Sequence, residues 1–414
     1  MAALFGAALA HAASAEEFNP LGDGSTYDNA DLLRDGSAGC ENCAPAAPHD
    51  FNEPFFDIDW SLALRGSYVN SAGGSYFEAS AVPSVTLRHD MLRGGYEVSA
   101  SAEVVRSTLE DVRVAALRAG FAGDYRLDEA TAISGNLDLA LTRGSAQEPG
   151  VSPTIALQPL VFSGDGEIEA SRDFGPFVVS GRLNGGRTVY GPTTLVDSSL
   201  TDNSSQSNWT AGGGLRLGYR VTPILVAFVD GSVGYQRYDA PSPTYLVSLD
   251  AVDYAARAGL SAEWNDRLEA EASLGVGLRR FAEPALGEVA TLLYDASVTL
   301  RPDEAVEMVA AFSTGFGAPG PSSSGTARLE YAATGDLRYR VNPWLALRAS
   351  ASWSQAQLVG TTTTERGYDA GVGADYVLNE FTTLTADYGY SYSETTPDPG
   401  EDSHRVTVGL TFSR

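Results

Sequence analysis

Lysine is absent from all 414 residues, cysteine occurs twice and histidine four times. Nowhere does the chain run about 20 apolar residues together, the length a helix needs to cross a bilayer. Each absence excludes a class. All 27 basic residues are arginine, against 53 acidic ones, for a formal charge of -26. A nucleic-acid partner needs a basic surface, so nucleic acid is excluded. The arginine-only usage reflects genome composition first, although arginine is also the better partner for carboxylates in a confined space. Without a long apolar run there is no helical membrane span. No break in composition divides the chain after residue 57, which reads as a single domain from there on.

What the chain does have is alternation. Eighteen times between Ile58 and Phe412 apolar and polar residues alternate strictly over a stretch of roughly 10 to 14 residues. In Trp344 to Ser354 one set is Leu345, Leu347, Ala349, Ala351 and Trp353, and the other is Ala346, Arg348, Ser350, Ser352 and Ser354. Period two is the signature of a strand with one apolar and one wet face. So many long two-faced strands predict a closed antiparallel transmembrane β-barrel over 58–414, lipid outside and water inside. The expected strand number is 18. Sixteen is the alternative, because losing one of the weaker strands, 164–174 or 365–378, would remove a hairpin.

The connections alternate in length. Tight ones, such as Val341-Asn342-Pro343 and Asn379-Glu380, interleave with looser polar ones, of which 144–163 and 191–206 are the longest. Outer-membrane barrels have short periplasmic turns and longer external loops, so the tight end is expected in the periplasm, with both termini. Strands running toward the tight end close with Tyr125-Arg126, Tyr219-Arg220, Trp264-Asn265, Tyr339-Arg340 and Tyr376-Val377. Their aromatics fall on the apolar register and, with Phe412, form an expected interfacial girdle.

Residues 1–15 read as a secretory signal peptide truncated at its start: Ala2 to Ala10 is apolar, and Ala13-Ser14-Ala15 is a small-x-small cleavage pattern. An alanine-rich tail is the alternative. Residues 16–57 are rich in Gly, Pro, Asn and Asp and read as a disordered periplasmic lead-in. They hold Cys40-Glu41-Asn42-Cys43, with His49 nearby. A zinc site needs about four ligands, so a small-loop disulfide between Cys40 and Cys43 is expected in place of a metal.

The chain resembles the putative beta-barrel porin 2 family of Gram-negative outer-membrane proteins. The resemblance is carried by the Tyr-Arg-hydrophobic-turn phrases, the regular hairpin period and the terminal strand Arg405-Val406-Thr407-Val408-Gly409-Leu410-Thr411-Phe412. It implies location in the outer membrane, contact with outer-membrane lipid, and insertion by the barrel-assembly machinery, which reads a terminal aromatic. Here Ser413 and Arg414 follow Phe412, a departure from that ending. The resemblance further implies service as the exit pore of an envelope or exopolysaccharide export system, with periplasmic export proteins as partners.

The polar register is charged on almost every strand. The expected lumen-lining residues are Arg65, Glu97, Glu103, Arg118, Asp138, Arg182, Arg216, Asp230, Arg257, Glu271, Arg279, Asp295, Arg328, Glu330, Asp336, Arg348 and Asp387. An unpaired charge in a dry interior costs several kcal/mol, so the interior must hold water, ion pairs or both. Mixed signs argue against strong ion selectivity. Inward Phe228 and Tyr238 could stack on sugar rings or pack against loops. Inward glycines such as Gly212, Gly214, Gly371 and Gly373 either widen the bore or ease strand coiling. The reading is therefore a channel for hydrophilic solutes, with no cofactor and no metal. A loop-plugged structural or adhesive barrel is the alternative. A barrel-embedded hydrolase is disfavoured: within 58–414 only His89 and His404 could act as bases, they belong to opposite ends, and no Gly-x-Ser-x-Gly phrase occurs.

Overall fold

A computed structural model describes residues 56–414 apart from 72, 147–150, 153, 319–324 and 398. The expected leader, the lead-in up to residue 55 and the Cys40–Cys43 pair lie outside the described residues.

Eighteen long strands form one sheet. The first five are β1 (Asp57–Ser71), β2 (Gly74–Met91), β3 (Gly94–Ser107), β4 (Arg113–Asp128) and β5 (Thr131–Thr142). A short β6 (Ile155–Leu157) precedes β7 (Val161–Phe174) and β8 (Phe177–Tyr190), and β9 (Thr193–Leu195) and β10 (Leu200–Thr201) are again short. The wall continues with β11 (Asn208–Thr222), β12 (Leu225–Tyr238), β13 (Ala251–Trp264), β14 (Leu268–Phe281), β15 (Glu288–Asp303) and β16 (Val306–Gly317). It ends with β17 (Arg328–Asn342), β18 (Leu345–Leu358), β19 (Thr364–Asn379), β20 (Thr382–Thr395) and β21 (Glu401–Ser413). Each long strand pairs antiparallel with the next, and β21 pairs back onto β1 from Ser61↔Ser413 to Ser71↔Ser403. That last pairing closes the barrel and leaves no lateral edge strand.

The tight turns show why the Tyr-Arg-hydrophobic phrases recur. Register slips by one residue between Arg126 and Asp128, Arg220 and Thr222, Arg340 and Asn342, and Val377 and Asn379. Each slip is a bulge one residue before the polar turn residue, which then folds its side chain onto the turn. Asn342 Oδ1 accepts the backbone N–H groups of Trp344 and Leu345 at 2.8 and 3.0 Å, and Asn379 Oδ1 accepts that of Phe381 at 2.9 Å. Asp128 Oδ1 takes Ala130 N–H in the same way at 2.8 Å. These are side-chain-closed turns that release the chain from the ladder. At Asn265-Asp266 both residues have positive φ, +48° and +53°, a conformation Asn and Asp tolerate best among residues with a side chain.

At the opposite end the described residues of the two longest connections carry pairing of their own. β6, β9 and β10 form a small separate sheet, Ile155 facing Leu195 and Thr194 facing Leu200. Buried Asn203 donates to Gly191 O at 2.8 Å and Thr193 Oγ1 at 2.9 Å, tying the 191–207 connection to itself. Polar composition suggests loose loops there; short strand pairing across two connections separated by a hairpin is invisible to local periodicity.

One seam of the wall parts. β15 and β16 pair from Ala296↔Phe312 to Leu300↔Met308, plus Asp303↔Val306, and no further toward the loop end. Beyond that point β14 still holds β15 up to Glu288, and β17 still holds β16 up to Gly317. The end of β16 has left the wall with β17 attached.

Candidate channel lumen

Side chains from strands two or three apart can meet only on the concave face, so such contacts identify the inward register. Arg216 on β11 donates twice to Glu271 on β14, both at 2.8 Å, reaching across β12 and β13. Arg348 on β18 reaches Asp387 on β20 at 2.9 Å. Propagated through the strand pairs, this register places all of the expected lumen-lining residues, from Arg65 to Asp387, on the inward face. It places Tyr125, Tyr219, Trp264, Tyr339, Tyr376 and Phe412 on the outward face, at the tight-turn end.

The inward charges form three clusters. Around the middle of β11–β15, Arg216, Asp230 and Arg257 are direct cross-strand neighbours. Arg257 adds Asp295 at 2.7 Å, Arg216 lies 3.7 Å from Asp230, and the row alternates in sign. Phe228 lies under this row with the Arg216 guanidinium 4.0 Å above its ring and is 4% exposed. It is covered by a cation of its own wall, which leaves no face for a sugar.

The second cluster is on the opposite wall. Arg348 holds Asp375 at 2.7 Å and Asp387, with Arg348 and Asp387 exposed and Asp375 half-buried. Gly373 stands between them in register, and a Cβ there would overlap the Asp387 carboxylate. The glycine gives a neighbouring side chain room to cross the strand; the bore gains nothing from it. Smaller exposed pairs, Arg88 with Glu97 at 2.9 Å and Arg118 with Glu103 at 3.9 Å, continue the pattern on β2–β4.

The third cluster lies toward the long connections and is nearly dry. Arg279, 3% exposed, grips Asp253 through two hydrogen bonds of 2.7 Å, reaches Gln236 at 3.3 Å and donates to the Gly317 carbonyl at 2.9 Å. Phe316 packs beneath its guanidinium, 5.3 Å from the ring centre, and against the inward side of Gly277. The end of β16 therefore lies inside the wall, against β14, with Arg279 capping one of the carbonyls freed at the parted seam. Arg328, 4% exposed, pairs with Glu365 at 2.6 Å and Glu330 at 3.4 Å. Tyr238 is buried beside these groups, so it too is packing and not an open stacking surface. The end of β16 and these arginine clusters thus occupy the inward side of the wall at this level.

Alternation alone places Asp253, Gln236, Glu365 and Asp375 on the inward face, yet their roles as arginine partners depend on distances across several strands. Arg65, Asp138, Arg182 and Asp336 are inward but belong to none of the three clusters. His89 and His404 both point outward, His89 between Phe56 and Tyr96 and His404 against Tyr388 and Tyr390. Tyr388, Tyr390 and Tyr392 share the outward face with Tyr68, Phe77 and Tyr368, forming a second aromatic girdle at the long-connection end. The alternating tyrosines of Tyr388-Gly-Tyr390-Ser-Tyr392 were its signal in the sequence. Among the described residues no group of three His, Cys, Asp or Glu side chains is arranged to hold a metal.

A family model described as "Putative beta-barrel porin 2" matches residues 66–414. No curated protein matches the chain. Among solved structures it is similar to the Pseudomonas aeruginosa outer membrane protein OpdK, at 13% identity over 86% of this chain and 99% of that one, with a TM-score of 0.42. OpdK with vanillate gives 13%, 86%, 99% and 0.44, and P. aeruginosa OccK5 (OpdH) gives 15%, 86%, 98% and 0.41. The closed barrel itself is established by the pairing of β21 with β1.

Proposed function

The chain belongs to the putative beta-barrel porin 2 family, and from that premise we propose that it is an outer-membrane channel for hydrophilic solutes, with its tight turns and termini in the periplasm and its long connections outside. The observation that carries this is the inward face: an 18-stranded wall lined by ion pairs, many of them still exposed, around a space that must hold water. Solute passes down its gradient, and the charged rows replace part of its hydration shell. The level of Arg279 and Arg328 sets the size limit.

Reconstitution in planar bilayers tests the reading. Discrete conductance steps are expected from heat-modifiable, folded protein. Silence at all voltages would sink the channel and favour the plugged barrel, the second reading that the inward β16–β17 hairpin supports. Polysaccharide export is the finer proposal and rests on the family resemblance. Flux of neutral oligosaccharides through liposomes carrying the protein supports it, and exclusion of everything larger than a monosaccharide counts against it.

A further inference from the structure

The outward wall carries a groove with a volume of 1020 Å³, running across β8 and β11–β15. Two rows of cross-strand neighbours build it: Leu183, Gly213, Val233, Tyr254, Leu278 and Ala290, then Gly181, Leu215, Gly231, Ala256 and Val276. Gly213 in the first row and Gly181, Gly231 and Ala256 in the second sink the floor between the larger apolar side chains. Its size is at the upper end of pockets that hold small ligands, about 300–1,000 Å³.

Above the groove, toward the long connections, the same outward register turns charged. Two residues along the strands, roughly 7 Å, stand Tyr235 and Arg280. Two residues further, another 7 Å or so, Arg187, Trp209 and Arg237 are direct neighbours. Arg187 lies over the Trp209 ring at 4.9 Å and holds Asp239 through two hydrogen bonds, while Arg280 pairs with Glu288 at 2.7 Å. Arg237 makes no hydrogen bond or ion pair among the described residues and is left with a distant attraction to Asp239. Asp250, whose Oδ1 accepts Tyr238 N–H at 2.7 Å, is a third carboxylate at this level. The arginines are thus balanced in number, while Arg237 is the one without a direct partner among the described residues. An arginine on a lipid-facing register is costly within hydrocarbon and favourable beside an anionic headgroup.

We propose that this wall is a binding site for a phosphorylated lipid of the outer leaflet, its acyl chains in the groove and its phosphate on Arg237 and Arg280, with Trp209 and Tyr235 at the headgroup level. The apolar depth, the interfacial aromatics and the spare cation follow one another along the strands in the order in which such a lipid presents chain, interface and charge. The proposal rests on the orientation given above, with the long connections outside.

Diphosphoryl lipid A added to the purified full-length chain in detergent is expected to bind, counted by native mass spectrometry, and to raise the temperature of the heat-modifiable transition. The dephosphorylated lipid is expected to bind about tenfold more weakly, the loss of one charge-assisted contact. Arg237→Gln should lower affinity for the phosphorylated form alone. Gly231→Leu, which fills open space on the groove floor, should weaken both. Equal binding of the two lipids, or unchanged binding by both folded variants, overturns the proposal. So does a lipid-free oligomer whose contacts protect Leu183 and Tyr254, which would assign the groove to a second copy. Conductance measured on the same preparation, and labelling of 191–207 on intact cells, separate failure of this site from failure of the channel or of its orientation.

Discussion

Asn342 and Asn379 each end a strand with a single side chain. Both accept backbone N–H groups across a tight turn, just after a bulge. Replacing Asn342 by Ala forfeits two hydrogen bonds, and at about 0.5–1.5 kcal/mol each the variant should lose about 1–3 kcal/mol in urea unfolding from lipid vesicles. The two faces of β18 give a sharper contrast. Ala351→Arg puts a charge on the outward face at the middle of β18 and should cost roughly 2–4 kcal/mol near the midplane. Ser350→Arg on the inward face should cost little, and equal costs would mean that the faces are reversed. Asp239 supplies a pH-dependent case outside the membrane. Its hydrogen bonds with Arg187 hold the carboxyl below its ordinary value of 3.8. A lowered folded value means that the pair contributes fully above the ordinary value and is lost as pH falls through the lowered one. In a variant whose other four tryptophans are replaced by Phe, Trp209 fluorescence should stay constant down to about pH 4 and change below it as Arg187 lets go; a change centred near neutrality would contradict the pairing.

At the scale of elements, the parted seam between β15 and β16 is the decisive departure from a uniform barrel. The end of β16 is held inside by Arg279 and by Phe316 packed on β14. Removing one partner of a buried ion pair leaves the other charge uncompensated, so Arg279→Ala should destabilise by ~3–5 kcal/mol and open the lumen at this level. Single-channel conductance is then expected to rise. Adding Asp253→Asn, which removes the stranded carboxylate, should recover part of the stability but leave the conductance high. A conductance unchanged by Arg279→Ala would show that the hairpin does not limit flow.

For the whole molecule, the composition is strongly acidic and the inward register shares that excess, with Asp165, Glu167, Glu169 and Asp173 on β7 alone, but much of its charge is paired locally. The inward rows alternate in sign: Arg216, Asp230 and Arg257 in one, Arg348 between Asp375 and Asp387 in another. Paired charges cancel over distances comparable to the Debye length, about 10 Å at 0.1 M. The reversal potential in a KCl gradient should accordingly lie close to zero, with a slight cation preference. A strongly cation-selective pore would mean that the overall negative charge, and not the local pairing, controls permeation.

Strand period, tight-turn chemistry and the inward or outward address of Leu347, Arg348 or Tyr339 were legible in the sequence, because each depends on residues one or two positions apart. The register of closure, Asn70 facing His404, makes use of the same alternation at both ends of the barrel. By itself the sequence determined a two-faced wall and which residues stand on each face. Tertiary structure decided which charges meet, that Phe228 is roofed by Arg216, and that the end of β16 parts from β15 and packs on the inward side of β14. Those outcomes depend on distances across several strands and on the curvature that brings them together, and local alternation carries no information about either.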